Sequence, residues 1–222
     1  MILRDLTTVK TLKKDIFGKI ELVSRDKGEL VICRNFGDAK LFARPLAFYL
    51  AYREKTILNV LGKLNDSRLP RLLYFGKGFL VRSYIKGRAL KNKKVADKSY
   101  YDAAARLLKK IHAAGVVHND LEKPENWLVT GDNIPGIIDF QLACYFPKKG
   151  KIFKLCQKED MRHLIKQKKR FSPDNLSEDD KIILKNKTRF AKIWRKDFKK
   201  IYNFITRKIL HYSDRDNSQF SR

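Results

Sequence analysis

The chain has 222 residues, 43% hydrophobic and 11% aromatic, enough for a sizeable core, so wholesale disorder is excluded. Its 50 Lys and Arg against 24 Asp and Glu give a formal net charge of +26, which suits either lysines on solvated faces or a polyanionic partner: nucleic acid, an anionic membrane or a phosphorylated glycan. Cys33, Cys144 and Cys156 are scattered and lack metal-ligand spacing, no charge-free run approaches a membrane span, and Met1–Asp5 lacks a signal-peptide pattern, so a reducing, cytoplasmic setting is expected.

The first 36 residues alternate apolar and polar positions. Three strands are expected, Val9–Lys14, Lys19–Val23 and Glu29–Cys33, with turns at Phe17-Gly18 and Asp26-Lys27-Gly28. From Pro45 to Leu64, the apolar residues Leu46, Leu50, Ile57, Leu58 and Leu61 fall near a 3.6 repeat behind a proline, predicting a helix. Leu69–Gly76 and Gly78–Ile85 read as two further strands, and Lys86-Gly87 ends the second. Ser99–Ala114 is an amphipathic helix: Tyr100, Ala104, Leu107, Leu108 and Ile111 share a face opposite Arg106, Lys109 and Lys110. Gly115 is its C-terminal stop, and His112 near its end reads as packed or dipole-satisfied.

The stretch that follows carries the chemistry. A polar loop, Val116 to Trp127, contains Asp120 and Asn126. Leu128-Val129-Thr130, a turn-rich Gly131–Gly136 and Ile137-Ile138-Asp139-Phe140-Gln141 come next. Two short apolar runs around turn residues predict a β-hairpin, with Asn126 and Asp139 at the same end of the paired strands. Two oxygen-bearing ligands for Mg²⁺, plus a separate carboxylate to orient a hydroxyl, suit phosphoryl transfer.

Beyond it, Pro147–Lys151 is basic and poorly periodic, and Glu159–Leu164 carries Asp160 on a helical stretch. Ser172–Asn175 is a turn, and Ser177-Glu178-Asp179-Asp180 opens another helix with a capping pattern. From Arg189 to Leu210 an aromatic and aliphatic stripe runs between lysines and arginines. It predicts either a packed helix or one that binds a partner or lies on an anionic membrane surface. The tail from Ser213 is polar, and no repeats or low-complexity linkers occur.

The loop and hairpin resemble the catalytic core of the protein-kinase-like superfamily, most of all its small bacterial, RIO-like or lipopolysaccharide-kinase-like phosphotransferases. His118-Asn119-Asp120 matches the family's His-x-Asp loop, Asn126 its loop asparagine, and Asp139-Phe140 its Asp-Phe-Gly, with Gln141 in place of glycine. Asn126 stands six residues after Asp120 where the family has five, so either the loop bulges or Glu125 takes the metal-ligand place.

The resemblance implies an α+β, two-lobed kinase-like fold. It has a small β-rich N-lobe with one helix (1–82), a mainly helical C-lobe (83–212) and a flexible tail (213–222). It implies ATP- and Mg²⁺-dependent transfer of the γ-phosphoryl group to a hydroxyl of a glycan, lipopolysaccharide or protein. Asp120 would be catalytic, and Asn126 and Asp139 would hold the metal. Arg34 would stand for the phosphate-gripping lysine, with Lys40 as a fallback, and Glu54 would position it; otherwise Glu54 is an exposed helix partner. The backbone of Ser83, Tyr84 and Ile85 would receive the adenine. His118 would brace the Asp-Phe turn, and Asp160 would brace the catalytic loop.

Departures also matter. The Gly-rich loop is absent as a motif, although Lys13 or Lys14 could place charge there. No Ala-Pro-Glu segment follows Gln141, which favours a glycan or lipid-linked acceptor over a peptide. The alternative is a pseudokinase, a nucleotide-binding or interaction module with a basic surface. Nucleic acid would suit the charge, but no RNA-binding motif is present. Localisation would be cytoplasmic, peripheral to the inner membrane if the 189–210 helix makes that contact.

Overall fold

The alternating N-terminal pattern becomes strands β1 (Thr7–Asp15), β2 (Gly18–Arg25) and β3 (Glu29–Asn35) in a computed structural model, which describes residues 6–25, 28–90, 97–131 and 133–185. Strands β4 (Leu72–Gly76) and β5 (Phe79–Ser83) complete a five-stranded antiparallel sheet in the order β1-β2-β3-β5-β4. The strand expected from Leu69 starts later. Pro70 has no amide hydrogen to give a ladder, and Leu69 instead closes a turn onto the Asp66 carbonyl.

The single glycine of the first turn has a steric reason to be there. Gly18 has φ +115, and a Cβ at this position would lie 2.1 Å from the Asn35 carbonyl oxygen. It lets β2 pass β3, rather than serving a phosphate-binding run of glycines.

The central strand β3 is covered on both faces. Val31 and Cys33 pack with Val23 and Val81 on one side. Ile32 and Arg34, two residues apart, share the other. That second face meets helix α1 (Arg44–Gly62), whose buried stripe runs through Ala47, Leu50, Ala51, Glu54, Ile57, Leu58 and Leu61 at helical spacing. Burial pushes the Cys33 thiol up to about 11, with Glu21 adding to the effect, so it is no nucleophile at neutral pH.

Helix α2 (Lys98–Ala113) begins on Asp97, whose carboxylate accepts the Tyr100 amide at 3.0 Å. It ends at Gly115, with φ +80, where a Cβ would stand 2.7 Å from the Phe146 carbonyl oxygen. Its apolar face forms the main core with Trp127, Ile137, Phe140 and Leu164. Short strands β6 (Arg88–Ala89), β7 (Val116–Val117), β8 (Trp127–Val129), β9 (Pro135–Ile137) and β10 (Cys144–Tyr145) pair as β6-β8-β9 and β10-β7.

Helix α3 spans Lys151–Phe171, 21 residues, much longer than the Glu159–Leu164 stretch legible in the sequence. Its inward face carries Glu159, Asp160, Arg162, His163, Gln167 and Lys168, all buried, so its periodicity is hidden from a hydrophobicity count. Helix α4 (Glu178–Lys185) opens as expected. The Ser177 Oγ accepts the Asp180 amide at 3.1 Å, and the Asp180 carboxylate accepts the Ser177 amide at 3.0 Å.

Met1–Leu184 form one compact unit and Lys185–Arg222 a second, of which only Lys185 is among the described residues. The helix expected over 189–210 and the tail from 213 lie outside them. Among the described residues, no helix is long and apolar enough to cross a membrane.

Candidate active site

The predicted hairpin forms from β8 and β9, with Trp127 opposite Ile137. One further bond, from the Ile138 amide to the Asn126 carbonyl at 3.0 Å, extends the pairing past the strand ends. It brings Asn126 and Asp139 to the same end of the hairpin, as the residue pattern requires. Asp139 then turns the chain out of β9 with φ 66 and ψ 66, a left-handed conformation that Asp tolerates better than most residues. Asn119 in the preceding loop has φ 65.

Asp120 lies against the hairpin end. The buried Asn126 donates its Nδ2 to the Asp120 carbonyl at 2.8 Å and to the Asp120 carboxylate at 3.1 Å. Leu121–Glu125 span the loop between Asp120 and Asn126, whose side chain reaches back to Asp120. Glu125 is exposed.

The loop is held from behind by α3. Asp160, 1% exposed, accepts the His118 amide at 2.7 Å, the Asn119 amide at 3.0 Å and a contact from His112 Nε2 at 3.1 Å. Seven residues on, along the same helix face, Gln167 donates to the Leu121 carbonyl at 3.2 Å and the Glu122 carbonyl at 2.7 Å. One carboxylate thus takes the amides entering the loop, and one carboxamide supplies the carbonyls leaving it.

Trp127, fully buried, donates its indole N–H to the Leu121 carbonyl at 3.1 Å. His118 accepts the Asp120 amide at Nδ1 (3.3 Å), which makes Nε2 the donor to the Ile138 carbonyl at 3.0 Å. Its ring also lies 4.6 Å from that of Phe140. His118 is a brace between loop and hairpin, and His112 is packed against Asp160.

A separate ion-paired cluster lies on the sheet. Arg34 on β3 donates Nη1 to Glu54 on α1 at 2.9 Å. Glu54 is 2% exposed, so it is no surface partner. Its second oxygen meets Arg82 Nε at 3.4 Å. Arg82 pairs with Ile32 in the β3–β5 register, so it shares the face that carries Arg34. Two guanidiniums around one carboxylate leave that cluster with a net positive charge.

Lys40 is exposed beyond β3, at the start of the 3₁₀ turn Leu41–Ala43, rather than beside Glu54. Ser83 ends β5, its amide donating to the Arg71 carbonyl and its Oγ accepting the Arg71 amide, both at 2.9 Å. Tyr84 and Ile85 follow, half-buried and outside regular structure. α1 also reaches the chain that follows the hairpin: Arg53 donates to the Ala143 carbonyl at 2.9 Å, just after the 3₁₀ turn Phe140–Leu142.

Lys123 is a residue that sequence reading missed. Its ammonium donates to the Asp120 carboxylate at 2.7 Å. Burial works against the charged amine, but Asp120 and Asp139 outweigh it and hold the Lys123 pKa above its ordinary value, with Lys13 opposing. Lys123 therefore feels the charge of both carboxylates, Asp120 and Asp139. The signal was a cation three residues after Asp120 in the same loop as Asn126. Arg82 and Gln167 were also missed. Their signals, strand parity with Arg34 and helical spacing from Asp160, carry meaning only once the register is known.

No protein-family model matches the chain. A stretch of 97 residues is 34% identical to the Serine/threonine-protein kinase D of Synechocystis sp., covering 40% of this chain and 19% of that protein. The chain spans about a fifth of the length of the curated relative it matches. That likeness relates the chain to the protein kinases at the level of a partial, distant match.

Proposed function

We propose that the protein is a two-lobed, kinase-like phosphotransferase that moves the γ-phosphoryl group of ATP to a hydroxyl. The observation that carries this reading is the meeting of Asp120, Asn126 and Asp139 at one end of the β8–β9 hairpin, braced from behind by Asp160 and Gln167.

The donor set fits magnesium. Asp139 contributes a carboxylate. Asn126 spends its Nδ2 on Asp120, so its carbonyl oxygen is the atom free to coordinate. Among the described residues no group of three or more His, Cys, Asp and Glu could hold a metal by itself. Magnesium typically takes one or two protein ligands and completes its shell with phosphate oxygens and water. When bound, it would neutralise charge on the phosphates.

The remaining roles fall to side chains of this chain. Asp120 orients the acceptor hydroxyl and takes its proton. Arg34, held by Glu54, places a fixed positive charge toward the phosphates, and Lys123 places another beside Asp120. The backbone of Ser83–Ile85 receives the adenine. Because a loose phosphoryl transition state asks for little covalent chemistry, positioning and fixed charges account for most of the rate. The segment after Phe140 turns into α3 at Lys151, which leaves little platform for a peptide and supports a glycan or lipid-linked hydroxyl as acceptor.

A second reading is a nucleotide-binding module without transfer. Lys123 on the Asp120 carboxylate, and an arginine where a lysine is usual, favour it. Thermal unfolding with ATP, with and without Mg²⁺, tests both readings. Ligand at about 100 times its dissociation constant stabilises by about 2.7 kcal/mol. Wild type shifts only with Mg²⁺, Asp139→Asn does not shift, and Asp120→Ala shifts as wild type but transfers no label to any acceptor. No shift for wild type refutes the proposal, and a shift without transfer selects the second reading.

A further inference from the structure

Helix α1 carries apolar residues on two faces, and among the described residues one of them is buried and the other largely exposed. The buried stripe packs on the sheet. Opposite it, Phe48, Tyr49 and Tyr52 recur at helical spacing and are exposed, Phe48 by 52% and Tyr52 by 49%. Just before the helix, the turn Leu41–Ala43 holds out two adjacent apolar side chains, Leu41 at 79% and Phe42 at 60% exposure. Beneath them lie the buried Phe36 and the half-buried Phe75, their rings 5.6 Å apart, with Phe48 lying 6.0 Å from Phe36 and 6.3 Å from Phe75. Five exposed large apolar side chains on one turn and one helix face point to an interaction site.

Its charge is one-sided. From Ala39 to Asn65 the only acid is Glu54, which is buried against the sheet, whereas Lys40, Arg44, Arg53, Lys55 and Lys63 are cationic. Asp38, the acid just before, is engaged by Asn35 at 2.7 Å. Lys40 and Arg44, both exposed, flank the Leu41-Phe42 tip. The Lys55 ammonium lies over two rings of the patch, 5.0 Å from Tyr52 and 5.2 Å from Phe75. Apolar rings with amines at their margin match the layering of a bilayer interface, where cations stay with headgroups and rings enter the acyl boundary.

We infer that the outward face of α1, with the Leu41-Phe42 tip as its wedge, docks on an anionic lipid bilayer. A second copy of the chain would bring one cationic face against another. A peptide helix asks for a groove, and this surface is the convex side of a helix with a protruding turn. The face lies opposite the side of α1 that carries Glu54, so docking leaves the Arg34–Glu54 pair in place, and it is independent of any phosphotransfer.

The test is co-sedimentation of the full chain with vesicles of phosphatidylcholine alone and of equal parts phosphatidylcholine and phosphatidylglycerol. Wild type pellets with the mixed vesicles and not with phosphatidylcholine. Leu41→Ser/Phe42→Ser, at solvent-exposed positions that leave the core intact, weakens that binding at least about tenfold. Each apolar side chain entering the acyl boundary contributes more than the free energy of one decade of affinity.

Ile152→Ser, an exposed apolar position on α3, binds as wild type. In a separate variant, Phe42→Trp, the added indole emission shifts to the blue on mixed vesicles and is quenched by lipids brominated in the acyl chain. Undiminished binding of the double variant overturns the inference and assigns attachment to the overall charge of +26. So does an unshifted Trp emission, and so does wild type that pellets with neither vesicle, as it would if the face served an acidic protein.

Discussion

Asp160→Asn tests whether the candidate site is built from α3 rather than from its own loop. The native carboxylate, 1% exposed, serves the amides of His118 and Asn119 and the ring of His112. An asparagine keeps one acceptor oxygen for one amide and turns an NH₂ toward the other. One buried N–H is then left without an acceptor, at about 1–3 kcal/mol, and the surviving bond loses its charge assistance, at about 1 kcal/mol more.

The expected loss is therefore about 2–4 kcal/mol, a large share of the roughly 5–15 kcal/mol available to a domain of this kind. Asp160→Ala, which orphans all three donors, loses more. Urea unfolding by far-ultraviolet circular dichroism measures it as a lower midpoint with an unchanged slope. A loss below about 0.5 kcal/mol, the range of an ordinary surface substitution, would refute the claim that Asp160 holds the loop.

Three other outcomes follow from the same geometry. Glu54→Ala leaves Arg34 and Arg82 together without their buried counter-charge and destabilises by about 3–5 kcal/mol in the same unfolding assay. Lys123→Met, at a side chain 58% exposed, leaves the unfolding midpoint nearly unchanged. If the amine faces the transferred group, it lowers kcat by about 10²–10³, as loss of one fixed charge-stabilising donor does.

Acid unfolding should report two carboxylates. Hydrogen bonds from Arg68 hold the Asp66 carboxyl well below its usual range, against burial, with Lys110 helping. Burial would raise Glu159, but hydrogen bonds from Arg162 and His163 outweigh it and hold it low. Folded values below the unfolded ones mean that both stabilise the fold while charged. That stabilisation is complete above about pH 4–5 and is lost as pH falls further. In Asp66→Asn the midpoint against pH below 5 is flatter than in wild type, and an unchanged acid limb would count against the pairing.

Much of this architecture was readable before any coordinates. The alternation of β1 to β3, the capped amphipathic α2 and the apolar pairs around Gly131–Gly136 are local patterns, and local patterns set local backbone. For the same reason the approach of Asn126 to Asp139 was legible: a short hairpin leaves its ends few places to go. Helix α3 was largely hidden, because its inward face mixes Phe153, Cys156, Leu164, Ile165 and Phe171 with ionic and amide groups that read as surface residues until their partners are known.

What only the tertiary structure decided are contacts between residues distant in the chain. Glu54 and Arg34 are 20 residues apart, and Gln167 and Glu122 are 45 apart. Neither side chain carries a mark of its partner, since a carboxylate on a helix or a carboxamide near its end is equally at home in water. Burial makes them partners. Once packing removes the water, each buried polar group must find its bond inside the protein, and the arrangement around Asp120 is the result of that requirement.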